Sequence, residues 1–181
     1  GATINRWCGS SMEAIHIAAG NIASGKGDVF IAGGVESMSR IPMGGFNPLP
    51  NPALYKAMPT AYISMGLTAE NVAVKYKVDR KKQEEFALNS HRKAAAADFS
   101  EEIVPIKTRD GVVDKDGTIR ANSTLEDMAK LEPVFDAKGT VTAATSSPLT
   151  DGAAAVLVVS EEYAKKHKLP MLARIKASCI V

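Results

Sequence analysis

The amino-acid sequence predicts an α/β protein: a layered α/β/α sheet domain, interrupted by an inserted, mainly helical subdomain at about residues 39–138. Three observations carry this. A segment with helical spacing leads into Asp28–Val35, a nearly continuous apolar run bounded by glycines, the form of a strand covered on both faces. A second apolar run, Ala153–Ser160, lies far down the chain. Between the two, the composition is polar, charged and rich in turn residues, as in an insertion.

Each element has its own signal. The first helix is predicted from about Ser10 to near Gly25. Ser10 and Glu13 have the form of a capping box, and Met12, Ile15, Ala19 and Ile22 recur at helical spacing. Gly25 suits the left-handed residue that follows many helices. In the next strand Gly33-Gly34 permits close approach of backbone or ligand, and Glu36 leaves the strand end as a rim carboxylate. Residues 40–64, with Pro42, Pro48, Pro50, Pro52 and Pro59, are predicted to be irregular. Thr68 is expected to cap a helix over 69–75, and Asp79 one over about 80–97. The latter turns Phe86, Ala87, Ser90, Ala94 and Ala97 inward and Lys81, Lys82, Glu84, Glu85, Arg92 and Lys93 to water.

Ile103–Ile106 reads as a short edge strand because Pro105 cannot serve a central one. Residues 107–121 are turn-rich, and Thr124 precedes a two-turn helix over 125–131 that Pro133 ends. Gly139–Ala144 and Ala153–Ser160 are read as the return to the sheet. A short helix from Ser160 to about Lys168 and a last strand over Leu172–Val181 complete the chain.

Composition removes several functional classes. A content of 45% hydrophobic and 23% charged residues is ordinary for a globular protein, and a net charge of +2 gives no argument for nucleic acid or an acidic membrane. The two cysteines, Cys8 and Cys179, lie almost the whole chain apart and form no disulfide framework, so a reducing compartment is expected. No apolar run is long enough to span a bilayer and no secretory pattern is present. The abrupt start at Gly1 and the strand-like end suggest the central portion of a longer polypeptide.

Chemistry concentrates at Asn5-Arg6-Trp7-Cys8-Gly9-Ser10-Ser11. A thiol just ahead of a helix start meets free backbone N–H groups and the positive end of the helix dipole, which favour the sulfur anion. Arg6 is a further candidate for that support. Local features alone leave a second reading of Cys8 open, as a small buried hydrophobe.

These residues resemble the thiolases, the acetyl-CoA acyltransferases of the condensing-enzyme superfamily. Asn5–Ser11 looks like the signature around the nucleophilic cysteine, and Ala32-Gly33-Gly34-Val35-Glu36-Ser37-Met38-Ser39 like the strand and turn after it. Met65–Asn71 resembles the family's loop domain, and Gly139–Ala143 with Asp151–Ala155 the return to the core. The resemblance implies a thiolase-like fold in which residues 1–38 and 139–171 form the latter part of the first half-domain. Residues 39–138 would cover coenzyme A, and residues 172–181 would open the second half-domain.

It also implies 3-ketoacyl-CoA thiolase chemistry, with Cys8 as nucleophile in an acyl-enzyme mechanism and Met65, Arg120, Leu131 and Ser147 as coenzyme A contacts. Asp127 stands where a family member can carry a serine, so no binding role is carried over to it. Coenzyme A and acyl-CoA thioesters enter as substrates, with no separate cofactor and no metal. A homodimer or homotetramer is implied, in the cytoplasm or an organelle matrix such as that of a mitochondrion or peroxisome. Ser64 before Met65, where biosynthetic members tend to have histidine, leans towards the degradative type. The alternatives are a biosynthetic acetyl-CoA acetyltransferase and a non-catalytic acyl-CoA-binding scaffold. The family also uses a histidine in a Gly-His-Pro segment and a second cysteine before a glycine run. This sequence has neither; His16, His91 and His167 read as structural or solvated, and Cys179 is not followed by glycines.

Overall fold

The structure, a computed structural model, describes residues 1–180. The chain divides into two compact units, one made of Gly1–Phe46 with Leu149–Val181 and the other of Asn47–Pro148. The inserted unit therefore begins and ends later in the chain than the expected 39–138, and it takes in the Gly139–Ala144 segment that was expected in the sheet domain.

In the first unit, a single 3-10 turn over Trp7–Gly9 runs directly into helix α1, Ser10–Ala23. Strand β1, Val29–Ser37, follows, and it pairs antiparallel with β4, Asp151–Val159, from Val29 opposite Val159 to Ser37 opposite Asp151. Helix α6, Glu161–Lys166, closes the regular structure, with the Ser160 hydroxyl capping it by accepting the Tyr163 N–H at 3.1 Å. The core of the unit is Ala18, Ala32 and Val158, packed by Ala14, Ile15, Ile22 and Phe30. Small residues bring α1 close to the sheet. A Cβ at Gly34 would lie 1.8 Å from the Ser11 oxygen and 3.0 Å from its Cβ, so the close approach expected at this glycine is made by α1.

Three expectations change here. The sheet of this unit has two strands, and α1 covers one face while Ile31 and Val35 on the other are 79% and 80% exposed. The apolar character of both faces is what gave the strand its doubly covered look. Met12 is exposed because the inward stripe of α1 runs through Ala14, Ile15, Ala18 and Ile22. Residues 172–180 carry no strand, and Leu172 is exposed; apolar alternation without a pairing partner does not make a ladder.

In the second unit, α2 (Pro52–Ala57) and a 3-10 turn (Pro59–Tyr62) occupy the stretch expected to be irregular. Asn51 caps α2, and Pro52 sits in its first turn, where a missing N–H costs nothing. Helix α3, Met65–Tyr76, starts a turn earlier than expected: Ser64, not Thr68, is the cap, accepting the Leu67 N–H at 3.3 Å. Helix α4, Arg80–Ala96, has the expected Asp79 cap.

A hairpin of β2, Ile106–Thr108, and β3, Gly111–Val113, lies where an edge strand and turns were read. Helix α5, Leu125–Ala129, begins at the Thr124 cap and stops short of Leu131.

Buried polar contacts tie this unit together. Glu70 of α3, 8% exposed, accepts the N–H groups of Thr140 and Val141 at 2.9 and 2.7 Å. Glu84 of α4, read as water-facing, is buried and bonded to Arg80 Nε at 2.7 Å. The same guanidinium donates to the carbonyls of Met128, Ala129 and Leu131 at the end of α5. Phe86, expected inward, is exposed in consequence. The inner stripe of α4 is set by Glu84, Leu88 and their partners, which apolar periodicity does not register.

Candidate functional site

Cys8 lies in the turn ahead of α1, and its thiol is exposed. In this chain Cys8 is therefore not a buried hydrophobe. Short side chains hold the turn. Asn5 Oδ1 accepts the Trp7 N–H at 2.9 Å, while the Ser10 hydroxyl accepts the Arg6 N–H and donates to the Trp7 carbonyl, both at 2.7 Å. Ser10 thus serves the turn rather than a capping box, and Gly9 leaves the first turn of α1 without a side-chain cap. Glu13 faces Arg6 at 4.0 Å and His16 at 3.9 Å, so the Arg6 charge is directed to a carboxylate. Trp7 itself is left-handed, at φ 51°. That conformation is disfavoured for a residue with a Cβ and costs about 1–3 kcal/mol, a strain that clusters at functional sites.

Cys179 is also exposed, and it shares a shallow hollow of about 240 Å³ with Glu13 and His16. The partner of its sulfur is the Ile180 carbonyl at 3.8 Å.

The second unit contains a cleft of about 560 Å³. Arg120, Leu131 and Ser147, three residues from separate parts of the sequence, line it together. Met65 is not among the lining residues; it is the first residue of α3 and is 70% exposed. Two residues that sequence reasoning had set aside do line the cleft, Asp127 of α5 and His91 of α4. By residue type alone Asp127 has no assigned role, and His91 reads as solvated in the sequence.

The His91 Nδ1 accepts the backbone N–H of Arg120 at 3.2 Å. The signal for it was its place three residues beyond buried Leu88, on the inward stripe of α4. Asp127 accepts the Thr124 hydroxyl at 2.7 Å and Lys130 Nζ at 3.2 Å. The Thr124 hydroxyl first, and Lys130 second, hold its carboxyl below the usual carboxylate range. The same carboxylate, with Glu126, raises Lys130.

The lining therefore includes one arginine, Arg120, the hydroxyl-bearing Thr118, Ser123, Ser146 and Ser147, and the apolar Met128, Leu131, Ala143 and Ala144. An arginine beside hydroxyl groups and an apolar lining suits a ligand that carries both an anionic group and an apolar portion. Among the described residues, no group of three or more His, Cys, Asp or Glu side chains is placed to hold a metal ion, and no helix is long and apolar enough to cross a membrane.

Residues 1–162 match the family described as "Thiolase, N-terminal domain". The chain is 47% identical to a 3-ketoacyl-CoA thiolase of Pseudoalteromonas translucida over 98% of its own length and 48% of the relative's. It is 46% identical to one of Marinobacter nauticus over the same shares. The chain spans about half the length of the curated relatives it matches. Among solved structures, the dimeric peroxisomal thiolase of Saccharomyces cerevisiae superposes with a TM-score of 0.85 at 37% identity, over 94% of this chain and 46% of that one. Human mitochondrial 3-ketoacyl-CoA thiolase, solved in complex with CoA, gives 0.74 at 36% identity, over 91% of this chain and 46% of that one.

Proposed function

The chain belongs to the thiolase family, and from that premise we propose that it forms part of a 3-ketoacyl-CoA thiolase, with Cys8 as its nucleophile. The Cys8 sulfur anion attacks the 3-keto carbon of a 3-oxoacyl-CoA, and the bond between carbons 2 and 3 breaks. Its electron pair leaves on the acetyl-CoA enolate, which takes up a proton and departs as acetyl-CoA. The acyl group, now a thioester on Cys8, passes to the thiol of a second coenzyme A and the cysteine is regenerated. An exposed thiol in a strained turn before an uncapped helix supports the first step, because the helix end stabilises a sulfur anion.

In the same reading, coenzyme A lies in the cleft of the second unit. Arg120 engages its phosphate-bearing end, Ser147 a polar group of the pantetheine arm and Leu131 its apolar stretch, with Met65 as an outer contact. The observation that carries this assignment is the convergence of Arg120, Leu131 and Ser147 on one cleft. Asp127, locked to Thr124 and Lys130, contributes an acceptor rather than a mobile charge. The working protein is a homodimer or homotetramer, acting in the cytoplasm or an organelle matrix. The degradative direction is favoured by the names of the relatives, 3-ketoacyl-CoA thiolases.

Calorimetric titration of coenzyme A into the 181-residue chain tests the cleft. Saturable binding is expected, and Arg120→Ala should weaken it about ten-fold or more, as for loss of a charge-assisted hydrogen bond. Equal affinity of that variant would remove Arg120 from the site. The chain alone should not turn over acetoacetyl-CoA, since its sequence holds neither a Gly-His-Pro segment nor a cysteine before a glycine run. Measured turnover would show that the acid and base chemistry is supplied by residues present here.

A further inference from the structure

We propose that His91 is the positioning residue of this cleft: its Nδ1 holds the Arg120 backbone, and protonation of the ring releases it. The inference rests on the coenzyme A reading of the cleft and adds a regulation to it. Arg120 lies in a stretch, residues 114–124, without helix or strand. Among the described residues, the Arg120 carbonyl accepts a local bond, from the Ser123 N–H. The bond from its N–H to His91, at 3.2 Å, spans 29 residues of sequence and ties it to the rigid α4.

A nitrogen that accepts a backbone N–H carries no proton, so the ring is neutral, with its hydrogen on Nε2. Adding a proton to Nδ1 sets a donor against a donor and breaks the bond. No other base on α4 competes for this role, because the residues one turn either side, Ala87, Leu88, Ala94 and Ala95, do not titrate. The charged residues lining the same cleft are Arg120 and Asp127 of α5, the latter engaged by Thr124 and Lys130. Residues 143–148 bring only Ala, Thr, Ser and Pro.

The test uses His91→Asn, whose side-chain carbonyl can accept the same N–H but does not titrate, and His91→Ala, which cannot accept. Two readouts are taken at pH 8 and pH 5.5: exchange protection of the Arg120 amide, and affinity for coenzyme A. Protection should fall at pH 5.5 in the native chain, stay constant in His91→Asn and be absent in His91→Ala. At pH 8, His91→Ala should bind coenzyme A roughly three- to ten-fold more weakly than the native chain, the worth of one hydrogen bond. His91→Asn also controls for titration of the coenzyme A phosphate, and its pH dependence should be smaller than that of the native chain. An Arg120 amide protected equally in all three proteins, or one indifferent to pH in the native chain, overturns the proposal. Normal amide behaviour with no coenzyme A binding in any of them would instead overturn the coenzyme A reading and leave the tether standing without that ligand.

Discussion

Trp7 and Cys8 show what a few side chains do to a backbone. A tryptophan in the left-handed region is held there by Asn5 on its N–H and Ser10 on its carbonyl, and the thiol that follows is presented at the start of a 14-residue helix. Cys179 is exposed as well but sits in a segment without regular structure. Accessibility therefore does not distinguish the two cysteines, and a rate difference between them reports on electrostatics. Cys8 should react with iodoacetamide roughly two- to five-fold faster than Cys179, the advantage a helix N-terminus gives an anion. Peptide mass spectrometry over a labelling time course measures both rates at once, and equal rates would remove the activated cysteine from the mechanism. The thiol and its helix were legible in the sequence because each signal is local. The strain at Trp7 was not, since nothing in a tryptophan announces a positive φ, and the direction of Arg6 emerged only with Glu13 beside it.

Among the elements, caps and stripes differ in how well they can be read. Asp79, Thr124 and Ser160 each precede a helix and each accepts an N–H of its first turn, because a cap needs only a residue type and three neighbours. Thr68 failed as a cap because Ser64 offered the same chemistry one turn earlier. The inner face of α4 was misassigned because a buried Glu84 needs Arg80, whose other partners lie about fifty residues away, at and just beyond the end of α5. Glu70 carries the same lesson into energetics. Its carboxylate is the partner of two backbone N–H groups at Thr140 and Val141, and a Cβ at Gly139 would meet it at 2.2 Å. Glu70→Ala leaves both donors without that acceptor and should cost about 2–4 kcal/mol in urea unfolding. Glu70→Gln, keeping one acceptor oxygen, should cost less. A loss below about 0.5 kcal/mol for the alanine, as at ordinary surface positions, would mean that water replaces the carboxylate without penalty.

At the scale of the whole molecule, the succession of sheet, insertion and sheet was visible as a change of composition, but its seams were not. Gly139–Ala144 is as apolar as a strand, yet Val141 and Thr142 are buried within the inserted unit, where Val141 accepts the Val134 N–H and Thr142 pairs with Pro133. Apolar content says that a segment is covered and leaves open by what. The same ambiguity has a physical consequence in the two-stranded sheet. Its inner face rests on α1, while Ile31, Val35 and Leu157 form an outer face with no cover among the described residues. A two-stranded sheet is marginal by itself, and an apolar face of this kind is a surface for association. The chain should therefore self-associate, its weight-average sedimentation coefficient rising with concentration. Replacing Ile31 and Val35 by lysine should suppress that rise, because two like charges on one face repel their copies. Retention of the far-ultraviolet circular dichroism spectrum in the double variant separates lost association from lost fold. A double variant that stays folded and still associates would place the contact elsewhere, since the face under α1 is already occupied by Ala14, Ile15, Ala18 and Ile22.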